Sequence, residues 1–220
     1  MAPALTSFTC LHYEEGDVVG KVLAYSALLP YLLIIHHASK FYSRREIHEG
    51  VIVAGFIINE GIARVLKQLF AHARPAETCL VLNLCDSHGM PSSHTSCIAF
   101  GLALHGFLAA RHPHGKSLGT RLADSCEVLG LVFAAWLTGL SRWYLGYHSW
   151  DQVVAGGVLG LALGAVWYQV LLWPVWTRVC ATPLGTLLHL KSTWDVTDPL
   201  REEAAFFRGM ANKDQRKKAQ

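Results

Sequence analysis

Long apolar segments with few charges constrain this chain more than any other feature of its sequence. Of its 220 residues, 16% are charged and 52% are hydrophobic, and the mean hydropathy is +0.29. Soluble domains usually carry about 25% charged residues. A chain of this size and composition is therefore expected to form one membrane domain of helices, because a helix satisfies its own backbone hydrogen bonds in lipid.

Five apolar segments are predicted to cross the membrane as helices. They cover approximately residues 22–35 (extending up to 41), 47–70, 95–110, 128–140 and 153–179. The sequence thus predicts an all-α, polytopic membrane helix bundle with about five transmembrane helices. A further apolar stretch, 184–190, is too short to cross. The glycines of the fifth segment predict close approach to a neighbouring helix.

The second segment differs from the others because polar side chains interrupt it. Asn59, Glu60, Arg64 and Lys67 lie within otherwise apolar sequence. Charges at membrane depth are unfavourable and usually face a polar interior. Glu60 and Arg64 are four residues apart, so they can pair within one helix. A polar path for a transported solute is one interpretation of this segment, and a catalytic interior is another.

Basic residues in short loops predict which side of a membrane protein faces the cytoplasm. With five crossings, the basic loops after the first and third segments share one side with the C-terminal tail. The chain is therefore predicted to contain a lumenal N-terminal segment (1–20), a transmembrane domain (21–179) and a cytoplasmic tail (180–220). The polar loops 71–93 and 141–151 then face away from the cytoplasm.

Other features narrow the function classes. The net charge of +3 is small and gives no reason to expect nucleic-acid binding. The six cysteines include no CxxC pair, so no zinc site is expected. Cys79 and Cys85 share one loop and can form a disulfide if that loop faces an oxidising lumen, but sequence leaves their pairing open. Residues 1–17 lack the pattern of a cleavable signal peptide, and nothing indicates the oligomeric state.

The C-terminal residues contain a candidate localisation signal. Counted from the end of the sequence with Gln220 as the first position, Lys218 and Lys217 occupy the third and fourth positions. This spacing resembles the dilysine retrieval signal of endoplasmic reticulum membrane proteins, which requires a cytoplasmic tail. A solvated basic tail attracted to anionic lipid is the other interpretation.

The first of three polar stretches, residues 67–75, ends the second apolar segment with two cations. Lys67 and Arg74 are seven residues apart, or two helical turns, so they share a face if the helix continues that far. Pro75 disfavours helical geometry at Arg74, which predicts that the arginine marks the helix end. Two cations suit an anion with several oxygens, although long basic side chains also snorkel to the membrane surface.

The second polar stretch, residues 89–95, lies directly before the third apolar segment. Ser92 or Ser93 is a natural N-cap residue for that helix. A helix start offers free backbone N–H groups and the positive end of the helix dipole, which suit a phosphate. His94 in the first turn can donate a proton. Ordinary capping beside a bystander histidine is the alternative.

The third polar stretch, residues 141–151, lies between the fourth and fifth apolar segments. Arg142 can bind phosphate oxygens, and His148 is a candidate nucleophile or base. Asp151 comes three residues after His148 and can accept its Nδ1 hydrogen bond if both lie at the start of the fifth helix. The aromatic residues here also predict an interfacial belt, which does not exclude a site.

Each stretch alone is a weak signal, but together they place several cations, serines and histidines on one predicted membrane face. We therefore predict that the three stretches meet in space and bind a phosphate. The predicted phosphate-binding residues are Lys67, Arg74, Ser92, Ser93 and Arg142, and the predicted catalytic residues are His148, His94 and Asp151.

The three stretches resemble the tripartite signature of the phosphatidic acid phosphatase type 2 superfamily, which shares its site with vanadium haloperoxidases. The superfamily pattern is K-x6-R-P, then P-S-G-H, then S-R-x5-H-x3-D. The first motif is matched in full, but Ser93 replaces the glycine of the second. In the third, Asp151 comes one residue earlier than the pattern requires. The resemblance implies a vanadium-haloperoxidase-like phosphatase site within the helix bundle.

Within this superfamily, further residues resemble dolichyldiphosphatases. They are Asn59-Glu60-Gly61, the run 89–94, and Tyr147-His148-Ser149-Trp150 followed by Gln152. The resemblance covers about residues 13–179. It implies a polyprenyl (dolichyl) diphosphate substrate, hydrolysed to dolichyl phosphate in the lipid bilayer at the lumenal face of the endoplasmic reticulum. This reaction recycles the lipid carrier for protein N-glycosylation.

The resemblance also implies the chemistry. His148 attacks phosphorus and forms a phosphohistidine, Asp151 orients His148, and His94 protonates the leaving oxygen. No metal ion or other cofactor is expected, because side-chain cations neutralise the phosphate. A broader lipid phosphatase acting on phosphatidate or sphingoid phosphates would carry the same motifs. A non-catalytic membrane transporter is the alternative from another class.

Overall fold

A computed structural model describes residues 13–81, 85–111, 115–171, 175–193 and 196–218. Within these ranges the chain forms helices joined by turns and loops, with one isolated bridge between Glu46 and Lys191. The helices are α1 (Val18–Ser26), α2 (Leu29–Arg44), α3 (Ile47–Phe70), α4 (Ala76–Val81), α5 (Ser93–Ala110), α6 (Leu118–Tyr144), α7 (Trp150–Leu171), α8 (Val175–Cys180), α9 (Pro183–Leu187) and α10 (Pro199–Lys218).

The predicted all-α, polytopic membrane helix bundle is confirmed. In the part of the chain that the structure describes, four helical segments are long and apolar enough to cross a membrane: Val18–Arg44, Ser93–Ala110, Leu118–Tyr144 and Trp150–Leu171. α3 has 24 residues and packs among them, but the charges in it set it apart from those four. The fifth crossing, by α3, stays a prediction.

The long helices run alternately up and down through the bundle, because short connections join them. We call the end where α3 stops and α5 and α7 begin the site end, and the end where α2 stops and α3 and α6 begin the opposite end. At the site end, the Ser92 N–H donates to the carbonyl oxygen of Gln152 at 3.0 Å. At the opposite end, His105 of α5 lies 3.0 Å from Glu127 of α6.

Close packing of α5 against α7 sets the geometry of the site end. Gly156, Gly160 and Gly164 of α7 face the backbone of α5. A Cβ at Gly156 would lie 2.5 Å from the carbonyl oxygen of Ser92, and one at Gly164 would lie 2.6 Å from that of Phe100. Side chains are thus excluded along this contact, which confirms the predicted close approach. The first turns of the two helices are held side by side as a result.

The first and fourth apolar segments extend further than predicted. The first runs from Val18 to Arg44, with a break between α1 and α2 just before Pro30. The fourth begins at Leu118, about three turns before the apolar run, because the Ser117 hydroxyl accepts a hydrogen bond from the Thr120 N–H at 3.2 Å and caps the helix. Polar residues at a helix end do not disturb a membrane helix when that end lies outside the hydrocarbon.

The fifth apolar segment, predicted to run to 179, contains α7 as far as Leu171 and the short helix α8 from Val175. Residues 172–174 lie outside the described residues, so the predicted end of this segment stays a prediction. The apolar stretch 184–190, predicted not to cross, contains only the short helix α9.

The C-terminal part of the chain covers the opposite end. The Ile47 N–H donates to the Lys191 carbonyl at 2.9 Å, which ties the segment before α10 to the start of α3. Asp198 then accepts from the Ser117 N–H at 2.8 Å, from the Thr120 hydroxyl at 2.8 Å and from the Arg201 N–H at 3.1 Å. A single carboxylate therefore stabilises the starts of both α6 and α10.

The loop region between α3 and α5 contains a disulfide between Cys79 and Cys85, a pairing that the sequence left open. Residues 1–12 and 219–220 lie outside the described residues, as do the side chains of Lys217 and Lys218. The predicted domain boundaries and the dilysine signal therefore stay predictions.

Candidate active site

One cavity at the site end collects most of the residues that the sequence singled out. It has a volume of about 300 Å³ and lies among α2, α3, α5, the end of α6 and the loops that join them. Six of the eight predicted site residues line it: Lys67, Arg74, Ser93, His94, Arg142 and His148. Ser92 and Asp151 do not.

Arg142 is the most deeply buried cation of this cavity. It lies in the last turn of α6, is 7% exposed, and its guanidinium lies 3.8 Å from the ring centre of Tyr147. Its Nε has no hydrogen-bonding partner among the described residues. The aromatic face offsets part of the unfavourable burial, but a buried guanidinium without an acceptor favours an incoming anion.

Arg74 reaches the cavity from the loop after α3. The helix ends at Phe70, where Ala71 adopts left-handed geometry, so the prediction that Arg74 marks the helix end is wrong by one turn. Lys67 and Arg74 therefore do not share a helix face, because the chain turns back before Arg74. Arg74 donates from Nε to the Ser87 hydroxyl and from Nη1 to the Tyr147 carbonyl, both at 2.8 Å.

Three of the four cations that line the cavity are not neutralised by acidic side chains. Among the described residues, Lys67, Arg74 and Arg142 form no ion pair with a carboxylate. Their charge acts on His148: burial lowers its pKa well below the usual value, and Arg142, Arg74 and Lys67 lower it further. The imidazole is therefore neutral at physiological pH, which is the form that can attack phosphorus.

Hydrogen bonds fix which nitrogen of His148 faces the cavity. Its Nδ1 lies 3.1 Å from Oε1 of Gln152, and its Nε2 lies 3.3 Å from Nη1 of Arg74. Arginine can only donate, so Nε2 must accept and Nδ1 must carry the proton. The lone pair of Nε2 therefore points towards the cations.

The orientation of the Gln152 amide is fixed in the same way. Its Nε2 donates to the Ala73 carbonyl at 2.7 Å and to Nδ1 of His72 at 2.8 Å. Since the nitrogen has these two acceptors, the oxygen is the atom that faces His148. Gln152 thereby orients the imidazole with a neutral amide.

Gln152 also connects the three polar stretches. It is fully buried, and its side chain bonds to Ala73 in the first stretch and His148 in the third. Its backbone oxygen accepts from Ser92 in the second stretch, and a Cβ at Gly89 would collide with its amide. No role for Gln152 was predicted from the sequence. Its position four residues after His148, where the superfamily pattern has aspartate, was the available signal.

The prediction that Asp151 orients His148 is wrong in geometry. The Asp151 side chain is 55% exposed, and its described ion-pair partner is His72, at 3.8 Å. A step of one residue turns a side chain by about 100° around a helix. Gln152 consequently faces inward at the start of α7, while Asp151 faces outward and reaches His148 only through His72 and Gln152.

The two serines of the second stretch differ in placement. Ser92 occupies the N-cap position of α5 without a capping side-chain bond; it is fully buried, and its Oγ accepts from the Thr95 hydroxyl at 3.1 Å. Ser93 lines the cavity instead. The structure therefore places the side chain of Ser93, rather than that of Ser92, at the cavity. The N–H groups in the first turn of α5 remain available to an anion.

His94 lies in the first turn of α5, and its ring meets that of Tyr31 edge-on, with the ring centres 5.4 Å apart. Tyr31 belongs to α2 and also lines the cavity. No motif in the sequence marks this tyrosine. This edge-on contact packs the His94 ring against α2.

Away from the cations, the cavity wall becomes apolar. Pro30 and Ile34 of α2, Phe56 of α3 and Cys97 of α5 line this part. Glu60 and Arg64 separate it from Lys67 and form the ion pair expected within α3, with Arg64 Nε 2.8 Å from Glu60 Oε1. The site can therefore accept a molecule with an anionic head and an apolar tail.

In the part of the chain that is described, no three histidine, cysteine, aspartate or glutamate side chains are arranged to hold a metal ion. The groups that face the anion position are lysine, arginine and backbone N–H groups. This set of donors fits a phosphoryl group, whose oxygens accept from arginine and from helix starts.

Comparison with known proteins identifies relatives of this chain. Residues 49–176 match the PAP2 superfamily. The chain is 30% identical over 218 residues to "Dolichyldiphosphatase 1" of Rhinolophus ferrumequinum, covering 96% of this chain and 91% of that protein. It is 35% identical over 201 residues to "Lipid phosphate phosphatase gamma" of Arabidopsis thaliana, covering 90% and 88%.

A solved structure shares the fold. It is the crystal structure of the first transmembrane PAP2 type phosphatidylglycerolphosphate phosphatase from Bacillus subtilis, with a TM-score of 0.57 and 24% sequence identity. The likeness covers 70% of this chain and 77% of that one. At this identity it supports the helical architecture alone.

Proposed function

This chain belongs to the PAP2 superfamily and is a membrane lipid phosphatase, and we propose that its reaction is the hydrolysis of dolichyl diphosphate to dolichyl phosphate and inorganic phosphate. The relatives named dolichyldiphosphatase, matched over most of their length, support this choice of substrate. The same relatives support a place in the endoplasmic reticulum membrane, where the reaction recycles the lipid carrier for N-glycosylation.

The observation that carries the proposal is a buried imidazole whose lone pair faces uncompensated positive charge. Nε2 of His148 lies 3.3 Å from Arg74, and Lys67 and Arg142 line the same cavity. Phosphoryl transfer requires a positioned nucleophile and stabilisation of charge on the phosphoryl oxygens. Both requirements are met within one cavity, and its apolar extension suits the lipid.

In the first step, Nε2 of His148 attacks the terminal phosphorus. The N–P bond forms, the bond between that phosphorus and the bridging oxygen breaks, and dolichyl phosphate leaves. Lys67, Arg74 and Arg142 stabilise the charge that develops on the phosphoryl oxygens, with help from Ser93 and the start of α5. Gln152 accepts the Nδ1 hydrogen bond and holds the ring in the attacking tautomer throughout.

His94 takes part in both steps: in the first step it protonates the oxygen of the leaving dolichyl phosphate. In the second step it accepts a proton from a water molecule, whose oxygen attacks the phosphorus bound to His148. The N–P bond breaks, and inorganic phosphate leaves with His148 restored. Side-chain cations supply the positive charge for both steps, so we propose that the reaction needs no metal ion.

We further propose that the site end faces the lumen. Basic residues gather at the opposite end, in the connections after α2 and α5, where the positive-inside rule places the cytoplasm. The disulfide between Cys79 and Cys85 lies at the site end, and such bonds persist in oxidising compartments. The C-terminus is then cytoplasmic. A cysteine-labelling experiment on intact vesicles tests this orientation.

A broader lipid phosphatase is the second candidate. The relative from Arabidopsis thaliana named lipid phosphate phosphatase gamma is 35% identical to this chain, which favours activity on other lipid phosphates. Both candidates use the same cations and the same histidine, so only the substrate preference separates them.

Phosphate release by the purified chain from dolichyl diphosphate, dolichyl phosphate and phosphatidate, measured side by side, tests the proposal. We expect dolichyl diphosphate to give the highest kcat/KM. His148→Asn should abolish release and remove acid-labile covalent phosphate from the enzyme. His189→Asn is the matched control, because His189 is exposed and lies at the opposite end.

Two results would count against the proposal. Substantial turnover by His148→Asn would rule out the phosphohistidine intermediate. A preference for phosphatidate would favour the broader lipid phosphatase. Loss of activity on treatment with EDTA, restored by a divalent cation, would contradict the metal-free mechanism.

A further inference from the structure

We propose that Arg64 binds the second phosphate of the substrate, the one that stays on the lipid, and so gives the site its preference for diphosphates. This inference rests on the proposed function, because it assumes that the terminal phosphoryl group occupies the cavity beside His148. The position, the partners and the exposure of Arg64 support this inference.

The face of α3 that lines the cavity changes in character along the helix. Lys67, Arg64, Glu60 and Phe56 follow one another at spacings of three or four residues, so they share one face. α3 ends at the site end, and each step back along it moves about 1.5 Å per residue into the bundle. Arg64 therefore lies about 4.5 Å deeper than Lys67, between the cations and the apolar wall.

This position matches the order of groups in a lipid diphosphate. The terminal phosphoryl group is transferred, so it must lie against His148, with Lys67, Arg74 and Arg142 around it. The lipid tail must run towards the apolar wall and the bilayer. The second phosphate joins the two, and Arg64 is the cation on that path.

Arg64 also has hydrogen-bond donors that its contact with Glu60 does not use. Among the described residues its only hydrogen-bonding partner is Glu60, which accepts from Nε at 2.8 Å. Nη1 and Nη2 thus remain available, and the Glu60 carboxylate holds the guanidinium in place. An arginine presents its donors as a planar fork that fits two phosphate oxygens.

The surroundings of Arg64 leave room for a phosphate. It lines the catalytic cavity and also a neighbouring cavity of about 540 Å³ that Lys67, Arg74 and Ser93 share. Its side chain is 75% exposed, although α3 runs through the bundle beside apolar helices. If α3 crosses the membrane as predicted, an exposed charge at this position is unfavourable unless it has a function. The carboxylates that line the second cavity are those of Glu60, already paired, and Asp86.

Arg64 acts on the leaving group. When the bond to the bridging oxygen breaks, negative charge moves onto the phosphate that departs with the lipid. A cation at that phosphate stabilises the transition state more than the bound substrate. A monophosphate has no group at this position, so the contribution of Arg64 is confined to diphosphates.

Binding of two inorganic probes to the full-length chain in detergent tests the inference. Inorganic phosphate fills the position beside His148, whereas pyrophosphate also reaches the second position. We expect Arg64→Ala to weaken pyrophosphate binding by about 10-fold to 100-fold, the range for a lost charged hydrogen-bonding pair. The loss for phosphate should be at least fivefold smaller, and Arg64→Lys should recover part of the pyrophosphate affinity. Isothermal titration calorimetry measures both constants.

Arg121→Ala is the matched control, because it removes one exposed arginine at the opposite end of the bundle. Equal losses for the two probes in Arg64→Ala, no loss at all, or the same loss in Arg121→Ala would overturn the inference while leaving the proposed function intact. Failure of the proposed function has a different signature: the wild-type chain binds neither probe, and His148→Asn still releases phosphate.

Discussion

The two ends of the bundle both bury charged residues, but only one end balances them. At the site end, Lys67, Arg74 and Arg142 surround His148 without a carboxylate partner among the described residues. At the opposite end, a cavity of about 240 Å³ is lined by histidines, lysines and carboxylates in contact with one another.

The balanced cluster is a hydrogen-bonded chain across four helices. Glu49 of α3 binds Nδ1 of His37 at 2.5 Å and pairs with Lys40. Nε2 of His37 lies 3.0 Å from Nε2 of His105, whose Nδ1 lies 3.0 Å from Glu127. One of the two facing Nε2 atoms must carry a proton, since two lone pairs would repel each other. Every charge in this cluster therefore has a partner.

Because of this difference, substitutions at the two ends should affect the stability of the fold and the activity of the site separately. Removing one member of a balanced buried cluster leaves an uncompensated charge and typically destabilises a protein by about 3–5 kcal/mol. Removing one cation from the unbalanced site relieves repulsion instead, because the missing partner is the substrate. Matched substitutions at the two ends should therefore have opposite effects on folding and on turnover.

Arg142→Met should have the largest effect on activity. We expect kcat/KM to fall by about 100-fold to 1,000-fold, the range for one lost transition-state donor. The unfolding temperature without phosphate should stay the same or rise, because a buried cation without an acceptor is replaced by an apolar side chain of similar length. Turnover assays and thermal unfolding in detergent measure the two quantities. A large drop in unfolding temperature would mean that Arg142 is part of a balanced structural cluster.

Gln152→Glu should move the pH dependence of turnover. Burial, Arg142, Arg74 and Lys67 hold the pKa of His148 well below its usual value, so the wild-type enzyme should keep its attacking imidazole neutral down to acidic pH. A carboxylate beside Nδ1 stabilises the protonated ring and raises that pKa. The acidic limb of kcat/KM should therefore shift to higher pH, so that the variant loses more of its activity than the wild type as the pH falls.

Gln152→Ala is the control for this prediction. It removes the orienting hydrogen bond without adding charge, so we expect a lower rate at every pH and an unshifted limb. An equal loss across the pH range in both variants would mean that Gln152 has a purely structural role. The shift itself reports the environment of Nδ1, which packing alone does not change.

Glu49→Gln tests the balanced end. The amide removes the negative charge that His37 and Lys40 share, so we expect a decrease of several degrees in unfolding temperature. Turnover per folded molecule should stay within about threefold of wild type, because the cluster lies at the end of the bundle away from His148. A selective loss of turnover with unchanged stability would break the division between the two ends.

The sequence was sufficient for the parts of the molecule that depend on local pattern. The bounds predicted for α3, 47–70, coincide with the helix, because apolar residues recur along its whole length and loops flank it. The predicted boundary failed where polar residues begin a helix, as at Leu118. Apolar content alone cannot mark this point, since capping decides it.

For the site, residue types were predictable but their partners were not. The motifs predicted that the cations and His148 belong to the site, and the fold brings these residues together. Spacing alone did not distinguish Asp151 from Gln152, because the choice depends on the residue at which α7 begins and on which side of its first turn faces the loops. The pairing of Cys79 with Cys85 likewise depends on loop geometry that the sequence leaves open.

Asp198→Asn should have the smallest effect and sharpen the comparison at the balanced end. The N–H of Ser117, the hydroxyl of Thr120 and the N–H of Arg201 lower the pKa of Asp198 to about 2. A carboxyl group whose pKa is depressed on folding adds stability above its unfolded pKa of about 3.9, and that stability is lost as the pH falls through the folded value. The wild-type chain should thus unfold a few degrees above the variant at neutral pH. This difference should shrink between about pH 4 and pH 2, as thermal unfolding across that range would measure. Turnover at neutral pH should be the same in the wild type and the variant, because Asp198 caps helices at the end of the bundle away from the phosphate. A difference in unfolding temperature that does not change with pH would show that the side chain stabilises the fold through packing rather than through its charge.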